Sequence, residues 1–249
     1  MQQHLDPNAI EPGTPNELPS RLVGRLHILE CTKCGGSLVH LKGALVCQKC
    51  SAAYPIRGGK IYFDTPPPHE TAEAGIKERC KKLLGTKYNL IVDLVAPIYP
   101  FNARRVIVEH VDPAKNLVVD VGAGARRVHP DIIALDLFDY ATVDIVCSVD
   151  RLPFAPNCID GFVSLAVMEH LPDPFAMVES LYRASRVGGI GVHDVPFLYH
   201  FHESPRDFMR FTHMGLVNLF KKWKTIRLFN NAGPVSLAVS LGLPLLAAI

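Results

Sequence analysis

Apolar stretches separated by turn-forming residues run through the second half of the chain. Five of them are rich in apolar residues with little alternation, which is typical of parallel strands buried on both faces. A helix is predicted over 174–185 because its apolar residues recur at helical spacing. The pattern therefore predicts an α/β fold with a mostly parallel sheet, whose strands cover residues 117–121, 132–136, 142–147, 161–166 and 190–195.

Shorter elements are predicted around this sheet. Helices are expected over 102–110 and over 212–222, the second with Thr212 as its N-cap, and a further strand over 225–229. Only seven residues, 125–131, lie between the end of the first strand's turn and the next apolar stretch. Since a parallel crossover usually needs about a dozen residues, we expect an abbreviated helix there.

The first half of the chain has a different pattern. Residues 1–27 lack hydrophobic periodicity and are predicted to form a mobile tail. A β-hairpin is predicted over 37–46, and three consecutive prolines at 66–68 predict a stiff linker. Helical patterning over 70–96 predicts helices that cap a cleft. The expected organisation is a tail (1–27), a small domain (28–65), a linker with cap helices (66–110) and a large domain (111–249).

Four of the seven cysteines form two Cys-x-x-Cys pairs in the small domain. Each pair can present two thiolates from one turn, and the predicted hairpin would bring the pairs together on Zn²⁺. Four thiolates leave no open coordination position, so a structural zinc is favoured over a catalytic one. A redox role for one pair is the alternative. The expected ligands are Cys31, Cys34, Cys47 and Cys50.

The segment around these cysteines has a family resemblance. With the two cysteine pairs, Tyr54-Pro55-Ile56 and the strand that follows, residues 28–64 resemble the zinc-ribbon activator subunits of tRNA methyltransferases. This resemblance implies a small zinc ribbon and a methyltransferase partner, here in the same chain.

A Gly-x-Gly turn ends the first strand of the predicted sheet. Gly122 and Gly124 can adopt positive φ and let a ligand approach the backbone closely. Asp120 precedes the turn, and Asp136 ends the second strand. A carboxylate at that position can accept hydrogen bonds from both hydroxyls of a ribose. Taken alone, this pattern also fits a strand-to-helix turn that binds no ligand.

Two further motifs make the pattern more specific: Asp-Arg-Leu-Pro-Phe at 150–154 and Glu-His-Leu-Pro-Asp-Pro at 169–174. With the glycine turn and Asp136 in the same order, residues 117–196 resemble the class I S-adenosylmethionine-dependent methyltransferases, which have a Rossmann-like doubly wound sheet. The chain departs from the pattern at Arg127, where a third glycine would stand. The resemblance implies that Asp120, Gly122 and Gly124 contact the methionine moiety of the cofactor. It implies that Asp136 contacts the ribose. The adenine would be contacted by Val149, Asp150 and Arg151.

Residues 196–212 concentrate aromatic, histidine and arginine side chains directly after the fifth strand. Because ligands bind beyond the carboxyl ends of parallel strands, the methyl acceptor and any general base are expected here and at the ends of the fourth and fifth strands. The candidate bases are His202, His193 and Asp194, and Arg206 or Arg210 could bind a phosphate or carboxylate.

The sequence of residues 196–212 resembles the corresponding loop of methyltransferases that act in glycan or lipid-linked sugar assembly. This resemblance implies a small-molecule or saccharide acceptor. An rRNA or tRNA acceptor is one alternative, because some rRNA guanine methyltransferases carry an amino-terminal zinc module. A non-catalytic scaffold that keeps the methyltransferase fold and binds through its zinc ribbon is the alternative from another class.

Composition narrows the partners further. With a net charge of +2 and a pI near 8.2, the chain has no large excess of positive charge. The net charge alone therefore does not predict binding to a nucleic acid. Residues 1–20 lack the features of a secretory signal, which predicts a cytoplasmic protein. Residues 233–249 are apolar but interrupted by Gly242 and Pro244, so we expect contact with a second copy of the chain and no transmembrane segment.

Overall fold

The computed structural model describes residues 17–68, 85, 101–199 and 206–230. The chain divides into two compact units. Among the described residues, the first unit comprises 17–68, 103–168 and 172–194, and the second comprises 85, 101–102, 169–171, 195–199 and 206–230. Several predictions lie outside the described residues: most of the tail (1–16), nearly all of the cap helices over 70–96, His202, and the apolar segment 233–249.

The first unit contains a nine-stranded sheet within the described residues. Its spatial order is β1-β2-β3-β4-β7-β6-β5-β8-β9, and five of the eight strand pairings are parallel. The predicted α/β fold with a mostly parallel, Rossmann-like sheet is confirmed. The strands are β1 Leu38–Leu41, β2 Ala44–Cys47, β3 Ala53–Arg57, β4 Lys60–Tyr62, β5 Val118–Val121, β6 Ile133–Asp136, β7 Ile145–Val146, β8 Ile159–Leu165 and β9 Ser185–Asp194.

The described part of this unit contains two α-helices, α1 Ala103–His110 and α2 Pro174–Ala184. The start of α2 follows from its sequence, because the Asp173 side chain accepts hydrogen bonds from the first-turn backbone N–H groups and proline occupies the first helical position. Ile107 of α1 and Leu181 of α2 are fully buried. Both predicted helices are confirmed to within one residue. Short 3-10 helices cover Ser20–Leu22, Leu26–Ile28 and Met168–His170.

The antiparallel part of the sheet continues directly into the parallel part. The predicted hairpin turn is confirmed, with positive φ at Lys42 and Gly43 between β1 and β2. Strand β4 then pairs in parallel with β7, placing Ile61 opposite Ile145, and the Ile61 N–H donates to the Asp144 carbonyl at 3.0 Å. The cysteine-bearing segment and the parallel strands therefore share one sheet and one set of buried apolar side chains.

Part of the predicted mobile tail is structured. Residues 17–27 contain a 3-10 turn whose Leu22 is completely buried. Arg21 from the same turn donates to the Asp144 carboxylate at 3.1 Å. One apolar side chain and one arginine are enough to attach this segment, although it lacks the periodicity from which an element would be predicted.

The prediction of an abbreviated helix over 125–131 is wrong. The connection from β5 to β6 has no helix and is organised by the buried side chain of Arg127. The guanidinium donates to the carbonyls of Ile132 and Thr142 and pairs with the Asp144 carboxylate at 2.8 Å. Because this side chain satisfies backbone carbonyls and a buried charge together, a short crossover is stable without a helix.

The second unit contains helix α3, His213–Leu219, among its described residues. Thr212 is its N-cap as predicted, with the hydroxyl accepting from the Gly215 N–H at 3.0 Å. The strand predicted over 225–229 is absent, because these residues pair with no neighbouring strand in the described structure. No helix in the described ranges is long and apolar enough to cross a membrane.

Candidate cofactor and metal sites

Asp120 lies at the carboxyl end of β5, in the middle of the parallel sheet, and is 2% exposed. One carboxylate oxygen accepts from the Val128 N–H, whereas the buried Oδ2 has no hydrogen-bond partner among the described residues. Burial is the main cause that raises the pKa of Asp120 to about 7. A buried carboxyl with an unsatisfied oxygen is costly, and a cationic or hydrogen-bond-donating ligand would remove that cost.

The turn after β5 adopts the backbone conformation that its glycines allow. Gly122 and Gly124 have φ of 73° and 58°. A Cβ atom at Gly122 would lie 2.5 Å from Val167 Cγ2, so this glycine is required by packing against the segment after β8. A Cβ atom at Gly124 would meet no atom of the described residues within 4 Å. The open side of the turn is therefore at Gly124, and this is where a ligand can approach the backbone.

Asp136 ends β6 beside this turn and is buried. Its Oδ2 accepts from the Gly124 N–H and its Oδ1 from the Phe138 N–H, each at 2.9 Å. These bonds hold the carboxylate in a fixed orientation at the end of β6. Four residues assigned to the cofactor thus lie together at the ends of two adjacent parallel strands: Asp120, Gly122, Gly124 and Asp136.

The remaining three residues assigned to the cofactor follow β7. Val149 is buried, and its neighbours Asp150 and Arg151 are exposed. Both exposed residues line a cavity of about 620 Å³, together with Cys34 of the cysteine segment and Glu179 of α2. The loop that is expected to contact the adenine therefore adjoins the cysteine-bearing segment, an arrangement that no local sequence pattern predicts.

The cysteine-bearing segment is also attached to this loop by hydrogen bonds. The Glu30 N–H donates to the Pro153 carbonyl at 3.0 Å, and the Ala155 N–H donates to the Ile28 carbonyl at 2.8 Å. The Arg183 guanidinium of α2 pairs with the Glu30 carboxylate at 2.6 Å and also donates to carbonyls of the loop. These contacts fix the position of the loop that follows Asp150.

The four predicted metal ligands converge. The Sγ atoms of Cys31, Cys34, Cys47 and Cys50 all lie within 4.8 Å of one another. The Cys31–Cys50 and Cys34–Cys47 sulfur pairs are separated by 3.6 and 3.5 Å. Zinc–sulfur bonds of about 2.3 Å in a tetrahedron place sulfurs about 3.8 Å apart, so this cluster has the size of a four-thiolate zinc site.

Two neighbours support the cysteine cluster. The Tyr54 hydroxyl lies 3.0 Å from Cys31 Sγ, and burial together with this hydrogen bond raises the pKa of Tyr54 to about 12. The hydroxyl therefore remains protonated and can donate to a metal-bound thiolate. Gly36 packs against the cluster so closely that a Cβ atom there would lie 2.9 Å from Cys47 Sγ. Neither neighbour was singled out by the cysteine spacing.

The candidate bases of the described residues lie at the end of β9. Ser164 of β8 stands directly opposite His193, and its Oγ lies 2.8 Å from His193 Nδ1. Burial lowers the pKa of His193 to about 4, so its imidazole is neutral at pH 7. The Asp194 carbonyl accepts from the Ala166 N–H at 2.9 Å, which holds the two strand ends together. Ser164 was not predicted, since its role depends on cross-strand register.

In the second unit, Arg210 is paired with a neighbouring carboxylate. Its guanidinium donates to both oxygens of Asp207, with Nη2 at 2.7 Å from Oδ2, and also to the Tyr199 carbonyl. The hydrogen bond to Asp207 is the first cause that raises the pKa of Arg210. The Arg206 carbonyl lies near His170 Nδ1, at 2.5 Å. Arg210 thus stabilises the loop conformation, which limits its availability for an acceptor group.

Two family models match the chain. Residues 26–59 match the Trm112p-like protein model, and residues 104–192 match the model described as a methyltransferase domain. Both resemblances identified from the motifs are therefore confirmed, and the chain contains a Trm112p-like segment followed by a methyltransferase domain. No curated protein matches the sequence.

Several solved structures are similar to the chain at low identity. Haemonchus contortus phosphoethanolamine N-methyltransferase 2 in complex with S-adenosyl-L-methionine is 19% identical over 57% of this chain, with a TM-score of 0.38. This chain covers 43% of that protein, less than half its length. A Haloferax volcanii complex containing the Trm112 methyltransferase activator is 18% identical over 58% of this chain and 71% of that one, with a TM-score of 0.35.

A third solved structure is a SAM-dependent methyltransferase from Aquifex aeolicus. It is 16% identical and matches 59% of this chain and 86% of its own, with a TM-score of 0.39.

Proposed function

We propose that this chain, which contains a Trm112p-like segment followed by a methyltransferase domain, is an S-adenosylmethionine-dependent methyltransferase. The observation that carries the proposal is the buried Asp120 Oδ2, which has no hydrogen-bond partner in the described structure and lies beside the turn that is open at Gly124. When bound, S-adenosylmethionine supplies an activated methyl group on a sulfonium, so the protein needs no covalent nucleophile.

The residues at the ends of β5 and β6 would hold this cofactor. Asp120 would accept from the α-ammonium group, and its ionised form would be favoured by that positive charge. The backbone near Gly124 would approach the methionine moiety, and the Asp136 carboxylate would accept hydrogen bonds from the ribose hydroxyls. Val149, Asp150 and Arg151 are proposed for the adenine, with Val149 supplying the apolar surface.

The acceptor side would involve the ends of β8 and β9. If the acceptor is a hydroxyl or amine, its proton must leave, and His193, Asp194 and His202 are the proposed groups that receive it. His193 is neutral at pH 7 and can accept a proton, but its pKa of about 4 makes it a weak base. We therefore infer that His193 mainly orients the acceptor, with Ser164 fixing the ring.

A small-molecule or saccharide acceptor, free or lipid-linked, is proposed over RNA. The net charge of +2 supports this choice because the chain has only a small excess of positive charge with which to bind a polyanion. The four cysteines are proposed to bind Zn²⁺ as a structural ion, since four thiolates leave no position for substrate. Zinc would then stabilise the segment that holds the loop after Asp150.

The cofactor assignment can be tested by calorimetric titration of the purified protein with S-adenosylmethionine and S-adenosylhomocysteine. We expect micromolar binding and a raised melting temperature, as for any ligand that binds only the folded state. Absence of both effects would refute the methyltransferase assignment and favour a zinc-ribbon scaffold.

The acceptor is found in a second step, by incubating cell extracts with methyl-labelled cofactor and separating the labelled small molecules, lipids and RNA. Label in the small-molecule or lipid fraction supports the proposal. Label confined to RNA would refute the acceptor class while leaving the enzyme class intact. Asp120→Asn serves as the matched control, because it removes the proposed cofactor contact with almost no change in side-chain volume.

A further inference from the structure

The second unit carries a strongly biased segment that the proposed methyl transfer does not use. Residues 213–230, here named the basic apolar segment, contain four lysine or arginine residues and no acidic residue. The whole chain, by contrast, has 26 basic and 24 acidic residues. The four cationic side chains are exposed: Lys221, Lys222, Lys224 and Arg227.

Large apolar side chains in the same segment are also exposed. Met214 and Ile226 are 74% and 68% exposed, which leaves most of their apolar surface in water. Arg227 lies over the Phe229 ring at 4.9 Å from its centroid, so a cation and an aromatic ring are adjacent on the surface. Scattered exposed apolar residues are ordinary, but here five fall within sixteen residues: Met214, Val217, Ile226, Leu228 and Phe229.

We propose that the basic apolar segment binds the surface of a membrane that contains anionic lipids. Lysine and arginine would pair with anionic headgroups while the aliphatic side chains enter the interface, the combination typical of peripheral membrane segments. The sequence continues without a charged residue from Leu228 to Ile249, so the positive charge of the segment is not opposed in the chain that follows. The proposal does not rest on the methyltransferase assignment.

Charge and side-chain type favour an anionic membrane over two other partners, a second copy of the chain and a single-stranded nucleic acid. In a symmetric dimer formed through the segment, four cations would face four cations, which disfavours a second copy as the occupant. Single-stranded nucleic acids are bound by stacking on aromatic rings, whereas four of the five exposed apolar side chains here are aliphatic. Lysines beside aliphatic side chains can pair with lipid headgroups and contact acyl chains, whereas nucleic-acid bases need aromatic rings on which to stack.

The test is flotation of the full-length protein with two kinds of vesicle, phosphatidylcholine alone and phosphatidylcholine with about 30% phosphatidylglycerol. We expect binding to the anionic vesicles only, and weaker binding in about 0.5 M salt because headgroup attraction is screened. Failure to bind anionic vesicles at low salt would overturn the proposal.

Three variants separate the contributions. The quadruple replacement of Lys221, Lys222, Lys224 and Arg227 by glutamine should lower the partition coefficient by about fivefold per charge, several hundredfold in total, and abolish the salt dependence. Ile226→Ser with Leu228→Ser should lower binding at least about tenfold while keeping the salt dependence. The matched control removes four exposed cations of the first unit, Lys42, Arg104, Arg105 and Lys115, and should bind as the unchanged protein does.

Equal loss of binding in the control variant would show that only net charge matters and would overturn the assignment to this segment. A parallel gel-shift assay with a single-stranded RNA of about 20 nucleotides tests whether the segment binds nucleic acid. RNA binding that depends on the four cations, without vesicle binding, would also overturn the proposal. Melting temperature and S-adenosylmethionine affinity of each variant are measured alongside, and both are expected to be unchanged, so failure here is distinct from failure of the proposed enzyme activity.

Discussion

Replacing Asp120 by asparagine should stabilise the cofactor-free protein and at the same time weaken cofactor binding. Burial raises the pKa of the Asp120 carboxyl from 3.8 to about 7. One pKa unit corresponds to about 1.4 kcal/mol, so the ionised carboxylate lowers the free energy of unfolding by on the order of 4 kcal/mol above pH 7. Asparagine has nearly the same shape and carries no charge, so it avoids this penalty.

The stability difference depends on pH in a defined direction. A folded-state pKa above the unfolded value means that the folded protein holds the proton more tightly. The stability contribution of the protonated carboxyl is therefore fully present below about pH 4 and is lost as the pH rises through about 7. Relative to the unchanged protein, Asp120→Asn should gain about 2 kcal/mol at pH 5 and about 4 kcal/mol at pH 8.

Cofactor binding should change in the opposite direction. The α-ammonium group of S-adenosylmethionine favours the ionised form of Asp120, so affinity in the unchanged protein should fall as the pH drops below about 7. Loss of a charge-assisted hydrogen bond weakens binding by about 1.5–3 kcal/mol, which is roughly 10- to 150-fold. The variant should therefore bind more weakly at pH 8 and lose this pH dependence.

The assays are urea unfolding and calorimetric titration of both proteins between pH 5 and 8. Asp131→Asn is the matched control, because its side chain is 55% exposed and the same chemical change should affect neither quantity. A less stable variant at pH 8, combined with unchanged cofactor affinity, would refute the assignment of Asp120 to the cofactor and the physical reasoning behind it.

Four further outcomes are expected. Cys50→Ser, or removal of metal with a chelator, should release one zinc per chain, lower the melting temperature and weaken cofactor binding, as followed by metal analysis and calorimetry; unchanged cofactor affinity without metal would separate the two sites. Gly36→Ala should cost about 1–3 kcal/mol and weaken metal binding, because its Cβ would lie 2.8 Å from Lys49 Cβ. His193→Gln should lower kcat modestly and leave cofactor affinity intact, whereas a complete loss of turnover would make His193 the essential base. His202→Ala should lower turnover with little loss of cofactor affinity, and unchanged turnover on the true acceptor would remove His202 from the site.

Strands, the convergence of the four cysteines and the glycine turn could be predicted because each depends on local sequence. Parallel strands buried on both faces need consecutive apolar residues, and residues 132–136 show this plainly in β6. A turn with positive φ needs glycine, as at Gly124. The cysteine spacing likewise fixes which sulfurs can reach a common ion, and the structure brings all four together. The assignment of individual residues to the cofactor remains a prediction.

The features that sequence could not supply depend on residues far apart in the chain. The helix predicted over 125–131 is replaced by a loop because Arg127 finds a buried carboxylate seventeen residues later, at Asp144. The same carboxylate binds Arg21, which explains why part of the predicted tail is structured. Nothing near Arg127 in sequence indicates that its side chain is buried, since burial follows from sheet order.

The shared sheet explains how a structural metal could matter for a distant cofactor. Asp144 immediately precedes β7, and its carboxylate pairs with Arg127 of the connection after the glycine turn. Its backbone carbonyl accepts a hydrogen bond from the Ile61 N–H of the cysteine-bearing segment. On the other side, the Glu30 N–H donates to the Pro153 carbonyl in the loop after Asp150, and the Glu30 carboxylate pairs with Arg183, which also donates to that loop. Loss of metal would loosen the segment that makes both contacts. The residues of β5 and β6 that are proposed to bind the cofactor would then lose support, because strands in one sheet transmit displacement through hydrogen bonds and close packing.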